Sequence, residues 1–409
     1  MNGLIVSSNT ARNPLDDAKS FVFDEITRLA QRNINLHVAS FDFKGSTRAY
    51  NIFFYDAKKY DFLVFPLIMH RIAYYPFNSI LCSPYKLFLE LSYAEHVVRL
   101  MKRVKPDFLH AHYAYPEGWA ASLAKISSKN RIPLVLTLHG YDILVEPTLG
   151  YGIRLWKRYD TLVRYVLNNS DLVIVASKAV FNEAAKLVNN IEKLHIIPNG
   201  IDIQYFNPNV NGSYIKQLYG GEDKQIVLTI ARNFKIKGII YLLLAIKQIL
   251  SFKKDVLFII GGYDKLLKYY ELLSIKLGVS KHVIFTGKIP RDVVPKYYAA
   301  SDVVVVPSLQ EAWGLVATEA MACGKPVVAS RVGGLTDQVI DGYNGFLVQP
   351  KDPKALGDKI LYLLENPSEA RRMGLNGRKL AVEKFDIEKR VDKIVKLYQE
   401  LVKGGGDAI

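Results

Sequence analysis

Two carboxylates, Glu311 and Glu319, flank a short apolar stretch in SLQEAWGLVATEAMACGKPVV, residues 308–328. The preceding DVVVVPS is short and β-branched and ends at Pro307, so it reads as a buried strand delivering residues 308–313 as a loop. A helix is expected to start near Gly314, run through LVATEAMA and stop at Gly324, with Pro326 just beyond. The first amides of a helix have no partner inside it and attract anions. Gly314, Leu315 and Val316 are therefore candidates for holding a phosphate. Glu319 lies one turn after Leu315 on the same face. Two carboxylates beside an anion site accept hydrogen bonds from hydroxyls. A diphosphate next to a ribose diol and sugar hydroxyls, as in a sugar nucleotide, offers that combination. Taken singly, a glutamate at either place is more often a solvated loop residue or a helix-dipole partner, so the surrounding pattern has to carry the argument.

Other residues suit the same chemistry. Arg232 and Lys237 follow the strand-like QIVLTIA, where a guanidinium and an ammonium would neutralise a diphosphate and the charge developing on a leaving group. His139 ends the strand-like PLVLTLH and precedes Gly140. No Asp-x-Asp pair stands at a strand end, and no Ser-His-Asp or Cys-His set fits, so neither metal nor nucleophilic chemistry is indicated.

The elements that must position these groups alternate along the chain. LIVSS, LHVAS, FLHAH, PLVLTLH and DLVIVAS are separated by segments of helical period, the pattern of a doubly wound parallel sheet. From Gln225 the pattern restarts with QIVLTIA, VLFIIGG, HVIFTG, DVVVVPS and KPVVAS. The intervening HIIPNGIDIQYFNP is rich in Pro, Asn and Gly and reads as a linker. Two Rossmann-like halves suit a chain of 409 residues that is 50% hydrophobic and 23% charged.

The formal net charge of +15 favours anionic partners. It is spread evenly: 24 Lys+Arg against 17 Asp+Glu in the first 200 residues, and 30 against 22 in the rest. A nucleic-acid binder concentrates its charge on one arm or stripe, so nucleic acid is not expected as a partner. Cys82 and Cys323 are far apart, without metal-ligand spacing, and suit a reducing compartment. The N-terminal MNGLIVSSNT lacks the features of a secretory signal. Apolar runs such as FLVFPLIM fall short of the roughly 20 residues that span a bilayer. A cytoplasmic location is expected.

The stretch SLQEAWGLVATEAMACGKPVVASRVGGLTDQVIDGYNGFLV closely resembles the E-x7-E signature region of retaining glycosyltransferases of family 4. TIARNFKIKGIIYLL resembles that family's strand, Arg, Lys-Gly, helix element, and IIGGYD its strand and glycine turn. VIFTGKIPRDVVPKYYAASDV, TLHGYD, HAHYAYPEGWAA and IIPNGID match further segments in order. The resemblance covers nearly the whole chain and implies the GT-B fold, with two Rossmann-like parallel-sheet domains facing across a cleft. The implied domains are 1–200 on the acceptor side, 201–384 binding the nucleotide sugar, and a helix, 385–409, packing back on the first.

The implied activity is metal-independent transfer of a sugar from a nucleotide-diphosphate donor to a hydroxyl, with retention of configuration and no cofactor. Arg232 and Lys237 would clamp the diphosphate. Glu311 would hold the sugar hydroxyls and Glu319 the ribose, while His139 would lie near the donor sugar. Gly262, Lys288 and Ile289 would approach the nucleotide, and His112 and Glu117 the acceptor. The first loop departs from the family, reading SSNTARNPLDD where a glycine pair is usual. Arg12 is its candidate phosphate or acceptor contact. Thr336 and Asp337 stand where Pro and Glu are common.

The acceptor is expected to be a glycan or a lipid-linked hydroxyl. Residues 50–105 are aromatic and basic, and an apolar face followed by Arg99, Lys102, Arg103 and Lys105 has two readings of equal weight. It is either a surface docking on an anionic membrane or a core helix with a solvated basic end. A GT-B epimerase or phosphorylase and a non-catalytic sugar-nucleotide-binding subunit are the alternatives. The order of motifs favours the transferase.

Overall fold

The computed structural model describes residues 1–7, 21–40, 47–49, 51–56, 84–127, 132–231, 235–262 and 266–404. The chain forms two compact units. One is Met1–Ile197 together with the chain from Arg390 onward, and the other is Pro198–Lys389.

The first unit is built on an eight-stranded sheet ordered β3-β4-β2-β1-β5-β6-β7-β8. Its strands are β1 (Asn2–Val6), β2 (Asn35–Ser40), β3 (Thr47–Ala49), β4 (Ile52–Asp56), β5 (Phe108–His112), β6 (Leu134–Thr137), β7 (Leu172–Val175) and β8 (Leu194–Ile196). Among the described residues of this sheet only the β3–β4 pairing is antiparallel. Along β5, β6 and β7 every residue is buried, as expected of a parallel sheet covered on both faces. The helix Phe21–Ala30 places Val22, Phe23, Ile26 and Leu29 inward at helical spacing, and Glu25 shares that buried face. The helix Ile387–Gly404 likewise buries Ile387, Val391, Ile394 and Tyr398, with Arg390 among them.

The helix Pro84–Val104 carries the basic end of the aromatic and basic segment. Leu91, Tyr93, Ala94, Val97, Val98, Leu100 and Met101 are buried, so this face is core, while Lys102, Arg103 and Lys105 are exposed. Among the described residues no helix is long and apolar enough to cross a membrane.

The second unit carries a six-stranded parallel sheet, β11-β10-β9-β12-β13-β14. These are β9 (Gln225–Ile230), β10 (Val256–Gly261), β11 (Val283–Gly287), β12 (Val303–Val306), β13 (Val327–Ser330) and β14 (Gly345–Val348). Strand order reverses between β9 and β12, which lie side by side, and such a switch point opens a crevice at the strands' carboxyl ends. The helix after β12 spans Leu315–Ala322, with Gly314 at its start and Gly324 just past its end.

The loops leaving β9 and β12 are fastened together. The Leu309 amide donates to the Ile236 carbonyl at 2.7 Å. Gly238 has φ +67°, and a Cβ there would stand 1.9 Å from the Pro307 carbonyl oxygen. Gly238→Ala should therefore lower stability by at least about 3 kcal/mol, adding a backbone clash to left-handed strain. Gly220→Ala, where φ is +58° but no atom lies within 4 Å, should cost only about 1 kcal/mol. Urea unfolding of the two variants checks this, and equal losses would contradict the proposed stitch.

Candidate functional site

In the second unit the sequence-selected residues gather at the carboxyl ends of four neighbouring strands. Lys237 follows β9, Gly262 follows β10, Lys288 and Ile289 follow β11, and Glu311 follows β12. The stitched loops bring Lys237 to Glu311, with Nζ donating to Oε2 at 2.6 Å and the Ser308 hydroxyl donating to the same oxygen at 3.0 Å. The Glu311 carbonyl accepts from the Gly334 amide at 3.0 Å. A Cβ at Gly333 would lie 1.7 Å from that carbonyl oxygen, so the glycine pair seats directly on the backbone of Glu311.

The Gly262 amide donates to Gly287 at 2.8 Å, tying the turns after β10 and β11 together. Ile289 lies over Gly261, where its Cδ1 is 2.4 Å from the position a Cβ would take, and Lys288 is exposed. Leu315 and Val316 are half-buried at the helix start. Glu319 Oε2 accepts from the Tyr298 hydroxyl at 2.6 Å. Burial, and then the Glu319 charge, push the Tyr298 phenol well above its usual value. Cys323, one turn further on, is pushed up to about 12, chiefly by burial and then by Glu319. Both stay protonated at neutral pH. Arg232 and Arg12 lie outside the described residues.

In the first unit the site residues cluster at the ends of β5 and β6. His139 follows β6, and its loop is closed by Asp142, which accepts from the amides of His139 (3.1 Å), Gly140 (2.8 Å) and Ala114 (2.9 Å). Burial raises the Asp142 carboxyl, and these hydrogen bonds oppose the rise. His139 Nε2 is 3.1 Å from His112 Nδ1. Glu117 is buried in the single turn Ala114–Gly118.

Behind His112 stands a set of polar groups on buried faces. Arg390 Nε donates to Glu25 Oε2 at 2.6 Å, and Arg390 Nη1 to the Ile197 carbonyl at 2.5 Å. His110 meets the Tyr398 hydroxyl at 2.5 Å and Thr137 Oγ1 at 2.7 Å. Glu25, His110 and His112 bring atoms of metal-binding type within 4.8 Å of one another. Glu25 is already paired with Arg390, and both His110 nitrogens are engaged, so the set is organised as a hydrogen-bond network.

Models of two families match the chain: "Glycosyl transferases group 1" over residues 213–380 and "Glycosyltransferase Family 4" over 18–205. An uncharacterized glycosyltransferase of Methanocaldococcus jannaschii is 35% identical over 77% of this chain and 83% of its own. The chain is a family 4 glycosyltransferase. An N-acetyl-alpha-D-glucosaminyl L-malate synthase of Bacillus anthracis is 30% identical to this glycosyltransferase, over 83% of this chain and 86% of that one. In fold it is similar to the sucrose-phosphate synthase of Thermosynechococcus elongatus, with TM-score 0.79 and 24% identity over 98% and 99% of the two chains. It is also similar to Anabaena HepE in complex with UDP-glucose, with TM-score 0.76 and 21% identity over 98% and 100%. The two parallel-sheet units are those of the GT-B fold.

The sequence reading of this glycosyltransferase did not select Glu25, Arg390, Tyr398, Asp142 or Tyr298. Glu25 and Arg390 carried a signal, since each is a charged residue at a core position of an amphipathic helix.

The buried histidines give the transferase an acid sensitivity. Burial holds His112 down at about 4, against the opposing effect of Glu25, and holds His110 and His139 well below the usual value. A group with a depressed folded pKa stabilises fully above its unfolded value near 6.5. That stabilisation is lost as pH falls toward 4, by up to about 1.4 kcal/mol per pH unit for each such histidine. The urea midpoint should therefore fall between pH 7 and pH 4.5. A midpoint flat across that range would contradict neutral burial.

Proposed function

We propose that this glycosyltransferase moves a sugar from a UDP- or GDP-linked donor to a hydroxyl of a glycan or lipid-linked acceptor, with retention and without a metal ion. The observation that carries the reading is the Lys237–Glu311 pair, set at the switch point between β9 and β12 and immediately ahead of a helix start. That arrangement offers a cation, the amides of a helix start and carboxylate oxygens within one crevice, which is what a phosphorylated sugar requires.

In this reading Lys237 and Arg232 hold the diphosphate with the amides of Gly314, Leu315 and Val316, and they stabilise its charge as the bond to the sugar lengthens. Glu311 takes the sugar hydroxyls, and Glu319 takes the ribose. His139 is assigned to the donor sugar. Gly262, Lys288 and Ile289 are assigned to the nucleotide, and Arg12, His112 and Glu117 to the acceptor. The similarity to HepE, which binds UDP-glucose, supports a nucleotide-sugar donor. A role in polysaccharide or glycolipid synthesis in the cytoplasm, at the inner face of a membrane, belongs to the same proposal. The exposed Lys102, Arg103 and Lys105 supply the attraction to anionic headgroups.

Calorimetric titration with UDP- and GDP-sugars should give binding to the wild type. Glu319→Ala should weaken it roughly tenfold or more, as expected for losing a charged hydrogen-bond acceptor. Absence of binding by every nucleotide sugar would overturn the transferase reading. An inverted product anomer by proton NMR would remove retention, and loss of activity in EDTA would remove metal independence. Co-sedimentation with anionic vesicles at low salt is expected, and recovery wholly in the supernatant would exclude the membrane partner.

A further inference from the structure

Two buried polar atoms in the first unit face each other without a hydrogen bond. His112 Nε2 and Glu25 Oε1 are 3.8 Å apart, and neither has a hydrogen-bond partner among the described residues. The other oxygen of Glu25 is held by Arg390 at 2.6 Å. The other nitrogen of His112 meets His139 Nε2 at 3.1 Å, with the two rings stacked at an interplanar angle of 12°. The remaining nitrogen of His139, Nδ1, is buried and has no hydrogen-bond partner among the described residues.

Both imidazoles are neutral near pH 7, because burial depresses each. Each therefore carries one proton, and the 3.1 Å contact needs one donor and one acceptor. Only two arrangements satisfy it. In the first, His139 Nε2–H donates to His112 Nδ1. His112 then carries its proton on Nε2, facing the Glu25 carboxylate, and His139 Nδ1 is bare. In the second, His112 Nδ1–H donates to His139 Nε2. The His112 Nε2 lone pair then faces a carboxylate oxygen, and His139 Nδ1–H becomes a buried donor with no acceptor. The second arrangement sets a lone pair against an anion and orphans an N–H, the costlier of the two defects. The surroundings do not reverse this. Asp142 is taken up by backbone amides, His110 by Tyr398 and Thr137, and the rings of Phe21 and Tyr113 cover His139 at 5.1 and 4.4 Å.

We infer that Glu25, acting through His112, fixes His139 in the tautomer protonated on Nε2, leaving Nδ1 as a bare acceptor for a hydroxyl donor. Glu25 is thus a positioning residue for His139. Arg390 serves the same end by holding Oε2, so that Oε1 is the oxygen presented to His112. The structural part stands on the geometry of this unit. The functional part, that Nδ1 receives a sugar hydroxyl, rests on the proposed role of His139.

Glu25→Gln separates this from a purely structural role. Arg390 donates and so keeps the amide oxygen of Gln, which turns the NH2 toward His112 Nε2. That nitrogen must then accept, and the proton moves along: His112 donates from Nδ1, and His139 becomes protonated on Nδ1. With 15N-labelled histidine, wild-type His139 and His112 should both show a bare Nδ1 and a protonated Nε2. Glu25→Gln should show both reversed. Arg390→Met, which keeps the carboxylate, should lose stability without reversal.

A wild-type His139 protonated on Nδ1, or tautomers unchanged in Glu25→Gln, would overturn the inference. In the transfer assay Glu25→Gln should lower kcat roughly tenfold or more while leaving the Kd for UDP or GDP unchanged. An equal kcat loss in Arg390→Met, with its tautomers intact, would show that Glu25 acts only by docking the helix. If the wild type transfers no sugar, the proposed function fails, while the NMR result still decides the tautomer.

Discussion

Gly238 lies against the carbonyl of Pro307, and much of the second unit's chemistry depends on that approach. Any side chain there would push apart the loops that leave β9 and β12. With the loops in contact, Lys237 and Glu311 meet at 2.6 Å although 74 residues separate them. The ion pair does not hold the loops itself. Its side chains are 25% and 14% exposed, and a partly solvated pair contributes about 1 kcal/mol at most. The backbone contact, with the Leu309 to Ile236 hydrogen bond beside it, is the stronger constraint, and the pair follows from it. Replacing Lys237 would therefore change the charge presented at the switch point far more than its shape.

The first unit reaches its arrangement by another route. Glu25 and Arg390 are each 4% exposed and lie 365 residues apart, on the helices Phe21–Ala30 and Ile387–Gly404. Burying an ion pair is costly, and well-packed apolar residues dock two helices at least as well. Docking is therefore not what the pair adds. Its donors and acceptors have fixed directions, and they are passed on to His112 on one side, while Tyr398 and Thr137 fix His110 on the other. Orientation of the histidines at the ends of β5 and β6 is the property a hydrophobic contact could not provide.

Legibility of the sequence followed the length scale of the physics. The β-branched runs gave the strands, because a parallel sheet buried on both faces has that composition. Lys237, Glu311 and His139 were selected because each follows a strand end, where ligands bind in such sheets, and falls within a motif of the family it resembles. Asp142 was legible in principle, since an aspartate two or three residues after His139 and Gly140 can accept their amides locally. Glu25 and Arg390 were not paired by any local pattern. Each sits on an apolar helix face, a detectable anomaly, but the partner that explains it is contributed by the far end of the chain. The basic segment was ambiguous because a helix that buries Leu91 through Met101 and ends in exposed lysine and arginine has the same pattern as a membrane-surface helix.

Glu311 and Glu319, alike in sequence, meet unlike partners. Glu311 is balanced by the Lys237 ammonium, so the crevice at β9 and β12 does not oppose an approaching anion as a bare carboxylate would. Glu319 receives a hydroxyl from Tyr298, whose phenol stays protonated because burial and the carboxylate itself raise its pKa. That hydroxyl fixes the direction of Glu319 Oε2, as the Lys237 ammonium and the Ser308 hydroxyl fix that of Glu311 Oε2. A carboxylate paired with a cation can stand next to phosphate, which is the property that the proposed place of Glu311 beside a sugar and its diphosphate requires.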